Sequence, residues 1–218
     1  MVIFDCNGVL VDSELLITTT ASQEFSRIGL TLPPDLLARY FTGRRTADML
    51  AEIEIAAGRR LPKDFAGRLS AAILDRFRRD LRATAHAAHA LTWLRGPKCV
   101  ASSSPLERMR MCLETAGLLK FFDPYLFSAS ELQRGKPAPD IFLLVAEKMR
   151  ISPRDCIVVE DSPVGVAAAA AAGMTPIGFI GGTHAGPNLA ARLTASGART
   201  VIRDMRLLKG TVVALRGW

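Results

Sequence analysis

The sequence predicts an α/β protein, a doubly wound parallel sheet with an inserted all-helical domain. Three observations carry this. Short apolar runs at Val2–Phe4, Lys98–Ala101, Tyr125–Phe127, Cys156–Val159, Thr175–Ile180 and Thr200–Ile202 alternate with helical stretches over most of the chain, the pattern of parallel sheets built from βαβ units. Residues 15–80 break that alternation, reading as helices alone. Polar residues stand directly after several apolar runs, where open α/β sheets present groups to a ligand crevice.

Taken in order, Val2-Ile3-Phe4 is a strand buried on both faces, since it is apolar without alternation. Asp5 ends it and Gly8 supplies a tight turn. Only four residues precede Asp5, so the strand has almost no lead-in. Ser13-Glu14 opens a helix running to Arg27, with Gly29 as its stop. Pro33-Pro34 starts a short helix, Thr42-Gly43-Arg44-Arg45 breaks it, and Ala47–Ala57 and Asp64–Leu81 follow as two more. Beyond Lys98–Ala101, helices are expected at Leu106–Ala116, Ile141–Met149, the Ala-rich stretch up to Ala172, Leu189–Ala195 and Met205–Leu215. Residues 1–14 and 82–218 then form the α/β core and residues 15–81 a helical cap.

A length of 218 residues suffices for a real core, and 49% hydrophobic with 22% charged residues describes a globular chain. The longest low-polarity stretch, Val164–Met174, is too short to span a bilayer. No charged segment leads into an apolar export signal, and Cys6, Cys99, Cys112 and Cys156 form no CxxC pair. The expectation is a cytoplasmic protein with reduced, mostly buried thiols. The formal charge of +7 favours anionic ligands. The basic residues are dispersed pairs (Arg44-Arg45, Arg59-Arg60, Arg78-Arg79) without interleaved aromatics, which argues against nucleic acid and for a small phosphorylated metabolite. A monomer or weak homo-oligomer is expected.

The strand ends carry the chemistry. Asp5 is placed to act as nucleophile or metal ligand, although a lone strand-end Asp is more often a turn residue. Ser102, ahead of Ser103-Ser104-Pro105, could hold a phosphoryl oxygen with the N–H groups of the next helix, or simply cap it. Lys136, in Gly135-Lys-Pro-Ala-Pro-Asp140, lies in a proline-stiffened loop where a fixed cation can neutralise a carboxylate and a transferring phosphoryl group. Glu160-Asp161 places adjacent carboxylates at a sheet edge, a repulsive pair that a hard cation such as Mg²⁺ relieves.

The segments Asp5-x-Asn7-Gly8, Ser102, Lys136-Pro-x-Pro-Asp140 and Glu160-Asp161-Ser-x-x-Gly165 resemble, in order, the four motifs of the haloacid dehalogenase-like (HAD) hydrolases, in their phosphatase and phosphomutase branch. The resemblance covers essentially the whole chain and implies a Rossmann-like core with a small helical cap. It implies that Asp5 attacks phosphorus and becomes an aspartyl phosphate, with Ser102 and Lys136 holding phosphoryl oxygens. Mg²⁺ would be bound by Asp5, the carbonyl of Asn7 and Asp161, with Glu160 direct or through water. Gly8 and Ser103 would lie against the substrate.

Position 7 departs from the family pattern, which has an aspartate that protonates the leaving alcohol and then activates water. A carboxamide cannot exchange a proton near neutral pH, and losing a general acid–base removes roughly 10²–10⁴ in rate. Impaired or atypical turnover is therefore expected, with substrates whose leaving group needs no proton or an acid borrowed from the cap as ways round it, and with a phosphate-binding homologue or a beta-phosphoglucomutase-like phosphomutase as the alternatives. The segment Thr42-Gly43-Arg44-Arg45-Thr46 matches the cap loop that reaches the site. Gly43, Arg44 and Arg45 are its candidate substrate contacts, against the commoner outcome of a solvated arginine pair. The beta-phosphoglucomutase relatives have an arginine where Thr46 stands and a histidine where Ile17 stands, which favours monoester hydrolysis, with a sugar phosphate as substrate, over mutase activity. His184, in a Gly-rich loop, is expected to have no required role. His86 and His89, sharing a helix face, are assigned no metal.

Overall fold

The side chains of the first strand point alternately into two apolar layers, and this sets the architecture. The structure, a computed structural model, describes residues 1–216. In β1 (Val2–Phe4), Val2 and Phe4 join one buried cluster and Ile3 the other. The remaining strands are β2 (Lys98–Ser102), β3 (Leu126–Ser128), β4 (Ile157–Glu160), β5 (Thr175–Phe179) and β6 (Thr200–Ile202), all parallel, in the order β3-β2-β1-β4-β5-β6. Short as it is, β1 pairs on both sides, Phe4 lying level with Val100 and with Val159. The N-terminal ammonium adds a hydrogen bond of 2.9 Å to the Asp155 carbonyl. The chain leaves β1 first toward β2 and β3, then crosses to β4. The strand order therefore reverses between β1 and β4, and their C-terminal ends flank the crevice where such sheets bind ligands.

One face of the sheet is covered by α5 (Ala87–Trp93), α6 (Leu106–Thr115) and α10 (Leu208–Arg216), through Leu91, Met109, Leu113, Leu208 and Val212. The other carries α7 (Asp140–Met149) and α8 (Pro163–Ala171), through Ile141, Phe142, Val145, Ala168 and Ala169. The small side chains of α8 let it pack against both β4 and β5. A minor cluster joins Val166 of α8 to Leu189 and Leu193 of α9 (Leu189–Ala195). All four cysteines are free and buried.

Between β1 and β2 lie α1 (Glu14–Arg27), α2 (Pro34–Phe41), α3 (Thr46–Ala57) and α4 (Phe65–Asp80). Their apolar stripes meet in one cluster: α1 packs on α2 and α4, and Leu37, Leu69, Ile73 and Phe77 are buried. The rings of Phe25 and Phe65 meet with centroids 4.8 Å apart. Most predicted elements appear within two residues of their expected ends. The exceptions are local. α5 was not placed among the expected elements; it follows His86, whose φ of 63° makes a left-handed entry without a capping side chain, so neither glycine nor an N-cap residue marks it. His86 therefore stands before the helix that carries His89. The final helix is preceded by a 3₁₀ turn at Met205–Leu207. Among the described residues no helix is long and apolar enough to cross a membrane.

Phe25 is fully buried in the contact between α1 and α4. Phe25→Ala should cost about 3–5 kcal/mol of stability, read as a lowered urea midpoint with an unchanged slope.

Candidate active site

Asp5 follows β1 directly, and its Oδ1 accepts a hydrogen bond of 2.7 Å from Lys136 Nζ. The same ammonium donates to Glu160 Oε1 at 2.6 Å and to the Ala101 carbonyl at 3.4 Å. Lys136 arrives from the loop before α7 and is almost wholly buried, as are Asp5 and Glu160. Burial alone would strip its proton; the charges of Asp5 and Glu160 hold it protonated, above the usual lysine range. Burial pushes Asp5 well above the usual carboxylate range against the pull of Lys136, and the charges of Glu160 and Asp161 add to the rise. Three carboxyl groups, those of Asp5, Glu160 and Asp161, thus lie within each other's field around one lysine.

Glu160 is committed on both oxygens: Oε2 accepts from the backbone N–H of Ser162 at 3.1 Å and from its hydroxyl at 2.9 Å. As arranged it buttresses Lys136, which leaves contact with a cation through water, one of the two expected modes, as the simpler one. Asp161 differs. Its Oδ2 is buried without a hydrogen-bond partner and lies 2.8 Å from Nε2 of His184. The imidazole N–H does not aim at that oxygen, so the contact is between charges. Burial would discharge His184, but the Asp161 carboxylate raises its pKa to about 9.

His184 thus stands at the rim of the site, and its loop is pinned to the first motif, because Thr183 donates from N–H and hydroxyl to Asp12 Oδ1 at 3.1 and 2.9 Å. Gly8 makes the approach possible. Its φ is +73°, and a Cβ there would fall 1.9 Å from Asp161 Oδ2 and 2.9 Å from the His184 ring.

Oxygen donors at a buried, negative strand edge fit a hard cation. Among the described residues no three His, Cys, Asp or Glu side chains converge into a ready-made cage.

Ser102 ends β2, with Ser103 and Ser104 leading into α6. Ser102 Oγ accepts from the Ser104 N–H at 3.3 Å. Ser104 Oγ accepts from Asn7 Nδ2 at 3.1 Å and from Arg108 Nη2 at 3.0 Å, so the carboxamide at position 7 is held as a donor. Ser103 Oγ donates to the Gly43 carbonyl at 2.8 Å, joining the core to the loop after α2. Gly43 has φ +82°, and a Cβ would lie 2.2 Å from Ser162 Oγ, so this loop needs glycine to come down so far.

Arg44 and Arg45 are neither a solvated pair nor open anion ligands. Arg44 makes two hydrogen bonds to Glu52 while still lining the cavity. Arg45 pairs with Asp48 at 2.7 and 2.8 Å and donates to the Leu132 carbonyl at 2.6 Å, outside the cavity wall.

The cavity between strand ends and inserted helices encloses about 60 Å³, room for only a few waters at roughly 10–15 Å³ each. Asp5, Asn7, Ser102, Ser103, Ser104 and Arg108 line the core side, and Glu14, Ile17, Leu37, Phe41, Gly43, Arg44, Thr46 and Met49 the other. Sequence reasoning gave no site role to Glu14, which ends the first-motif stretch and opens α1, or to Arg108, which no motif marks. Glu14 is buried; burial first, then the charge of Asp161, raises its pKa to about 7.

A buried aspartate at the switch point of a parallel sheet, salt-bridged to a buried lysine and facing inserted helices across a cavity, is a site of the hydrolase class. The chain belongs to the haloacid dehalogenase-like hydrolases, whose family model matches residues 1–173. It is 30% identical over 194 residues to the 6-phosphogluconate phosphatase of Escherichia coli K12, covering 88% of each chain. Among solved structures it is similar to a haloacid dehalogenase-like protein of unknown function from Agrobacterium tumefaciens C58, with TM-score 0.85, 36% identity and 99% and 98% of the two chains covered. A HAD family hydrolase from Deinococcus radiodurans R1, solved with bound phosphate and sodium, matches with TM-score 0.76, 33% identity and coverage of 98% and 94%.

The raised pKa of Glu14 gives a stability test. A carboxyl at about 7 when folded and near 4.5 when unfolded takes up protons on folding between those values, so stability falls as pH rises from 4.5 to 7. Glu14→Gln should flatten that slope and, in EDTA at pH 8, stabilise the protein by about 3 kcal/mol, measured by denaturant titration across pH.

Proposed function

We propose that this enzyme is a Mg²⁺-dependent phosphomonoester hydrolase of small phosphorylated metabolites, sugar phosphates foremost, working through an aspartyl phosphate on Asp5 with turnover slowed by Asn7. The observation that carries it is Asp5 Oδ1 held 2.7 Å from a buried Lys136, with Asp5 lining a cavity between the strand ends and the inserted helices. The 6-phosphogluconate phosphatase relative supports the substrate class.

In this reading residues 15–81 are the cap domain, and residues 1–14 and 82–218 the core. Asp5, the backbone carbonyl of Asn7 and Asp161 would hold the metal, and Glu160 would act through Lys136. When bound, the ion would neutralise charge on the phosphoryl oxygens and on Asp5. Lys136 keeps the nucleophile oriented and offers its charge to the transferring group. Ser102 and the N–H groups entering α6 would take up the remaining phosphoryl oxygens. The cap forms one wall of the cavity, and Ile17 and Thr46, where mutase relatives carry histidine and arginine, both line it, which favours hydrolysis over transfer between sugar positions. A phosphate-binding protein without turnover is the second reading, favoured by the carboxamide at position 7.

Phosphate release from a panel of sugar and other small phosphates with Mg²⁺ tests this. The chain should turn over slowly, Asn7→Asp should be faster by roughly 10²–10⁴, and Asp5→Asn should abolish release in both. Failure of both proteins on every ester, with vanadate still raising the melting temperature, would establish the binding reading instead.

A further inference from the structure

Asn7 leaves the hydrolytic cycle without a proton carrier, and the cavity contains one other candidate. Of the buried acids, Glu160 is tied to Lys136 and Ser162, Asp161 faces His184 and Glu24 pairs with Arg27. Asp5 and Glu14 are the carboxyl groups that line the cavity. Glu14 is the first residue of α1 and only 5% exposed, on the wall of the same cavity that Asp5 and Ser102 line. We propose that Glu14 is the acid–base residue of this enzyme, giving a proton to the leaving alcohol and taking one from the attacking water, the two transfers that Asn7 cannot make.

The proposal rests on the phosphatase reading and adds a residue to it. In the first step Asp5 Oδ bonds to phosphorus, the bond from phosphorus to the ester oxygen breaks, and the proton of Glu14 passes to that oxygen, releasing the alcohol and leaving Glu14 ionised. In the second, Glu14 takes a proton from water as its oxygen bonds to phosphorus. The bond from phosphorus to Asp5 then breaks, and phosphate leaves with both carboxyl groups restored. Burial brings Glu14 to about 7, with the charge of Asp161 raising it and His184, the Thr42 hydroxyl and Arg108 lowering it, so both forms are populated near neutral pH, as an acid–base group requires.

The test pairs Glu14→Gln with Asn7→Asp and uses two substrates, the best sugar phosphate of the panel and p-nitrophenyl phosphate, whose leaving group needs no proton. With Asn7 present, Glu14→Gln should lower kcat on the sugar phosphate by roughly 10²-fold or more. It should retain a rapid-mixing burst of p-nitrophenol of about one equivalent, and the loss should shrink below tenfold in the Asn7→Asp background. Equal losses in both backgrounds, or loss of the burst, would make Glu14 a structural residue and overturn the proposal. An unaffected kcat would overturn it as well. Absence of phosphate release from both the chain and its Asn7→Asp variant would overturn the phosphatase reading and this inference with it.

Discussion

The burial of one lysine between two carboxylates is the constraint on which the rest of the site depends. An ammonium removed from water is costly unless paired and hydrogen-bonded, and Lys136 has Asp5, Glu160 and the Ala101 carbonyl around it. These partners come from the end of β1, the end of β4 and strand β2, so one side chain from the loop before α7 ties the three central strands at their ligand-binding ends. Ser162 completes the arrangement by taking up the second oxygen of Glu160 while its hydroxyl accepts the Gly165 N–H of α8 at 3.1 Å. Fold and chemistry therefore share the same bonds.

Around that centre the charges are divided by side. Asp161 and His184 face each other beneath Gly8, while Arg108 and Asn7 meet on Ser104. A carboxylate at position 7 would accept from the Ser104 hydroxyl and sit near Arg108; the carboxamide donates instead, which keeps the same neighbours with the opposite polarity. Substitution at this position thus changes both the polarity of the contact with Ser104 and what the group can do with a proton.

Much of this was legible in the sequence because it depends on local pattern. The apolar run before Asp5, the prolines around Lys136 and the paired acids after Val159 each marked a strand end or a rigid loop, and the structure brings Asp5, Lys136 and Glu160 into contact across 131 and 24 positions of chain. What stayed hidden depends on tertiary contact. Glu14 reads as an ordinary first-turn acid until the inserted helices bury it, and Arg108 sits on a helix whose spacing says only that one face is apolar. His184 looked idle because nothing local reveals that Asp12 holds its loop. The partners of Arg44 and Arg45 lie within the inserted helices and at Leu132, so exposure could not be judged from the pair itself.

The hydrogen bond from Ser103 to the Gly43 carbonyl has an evolutionary consequence. This join between the helical insertion and the core is made on the insertion's backbone, at a residue with no side chain. A second join, from the Arg45 guanidinium to the Leu132 carbonyl, depends on one particular side chain two positions further on. A sequence drifting through this loop therefore keeps its seat on the core only while Gly43 and Arg45 are both retained.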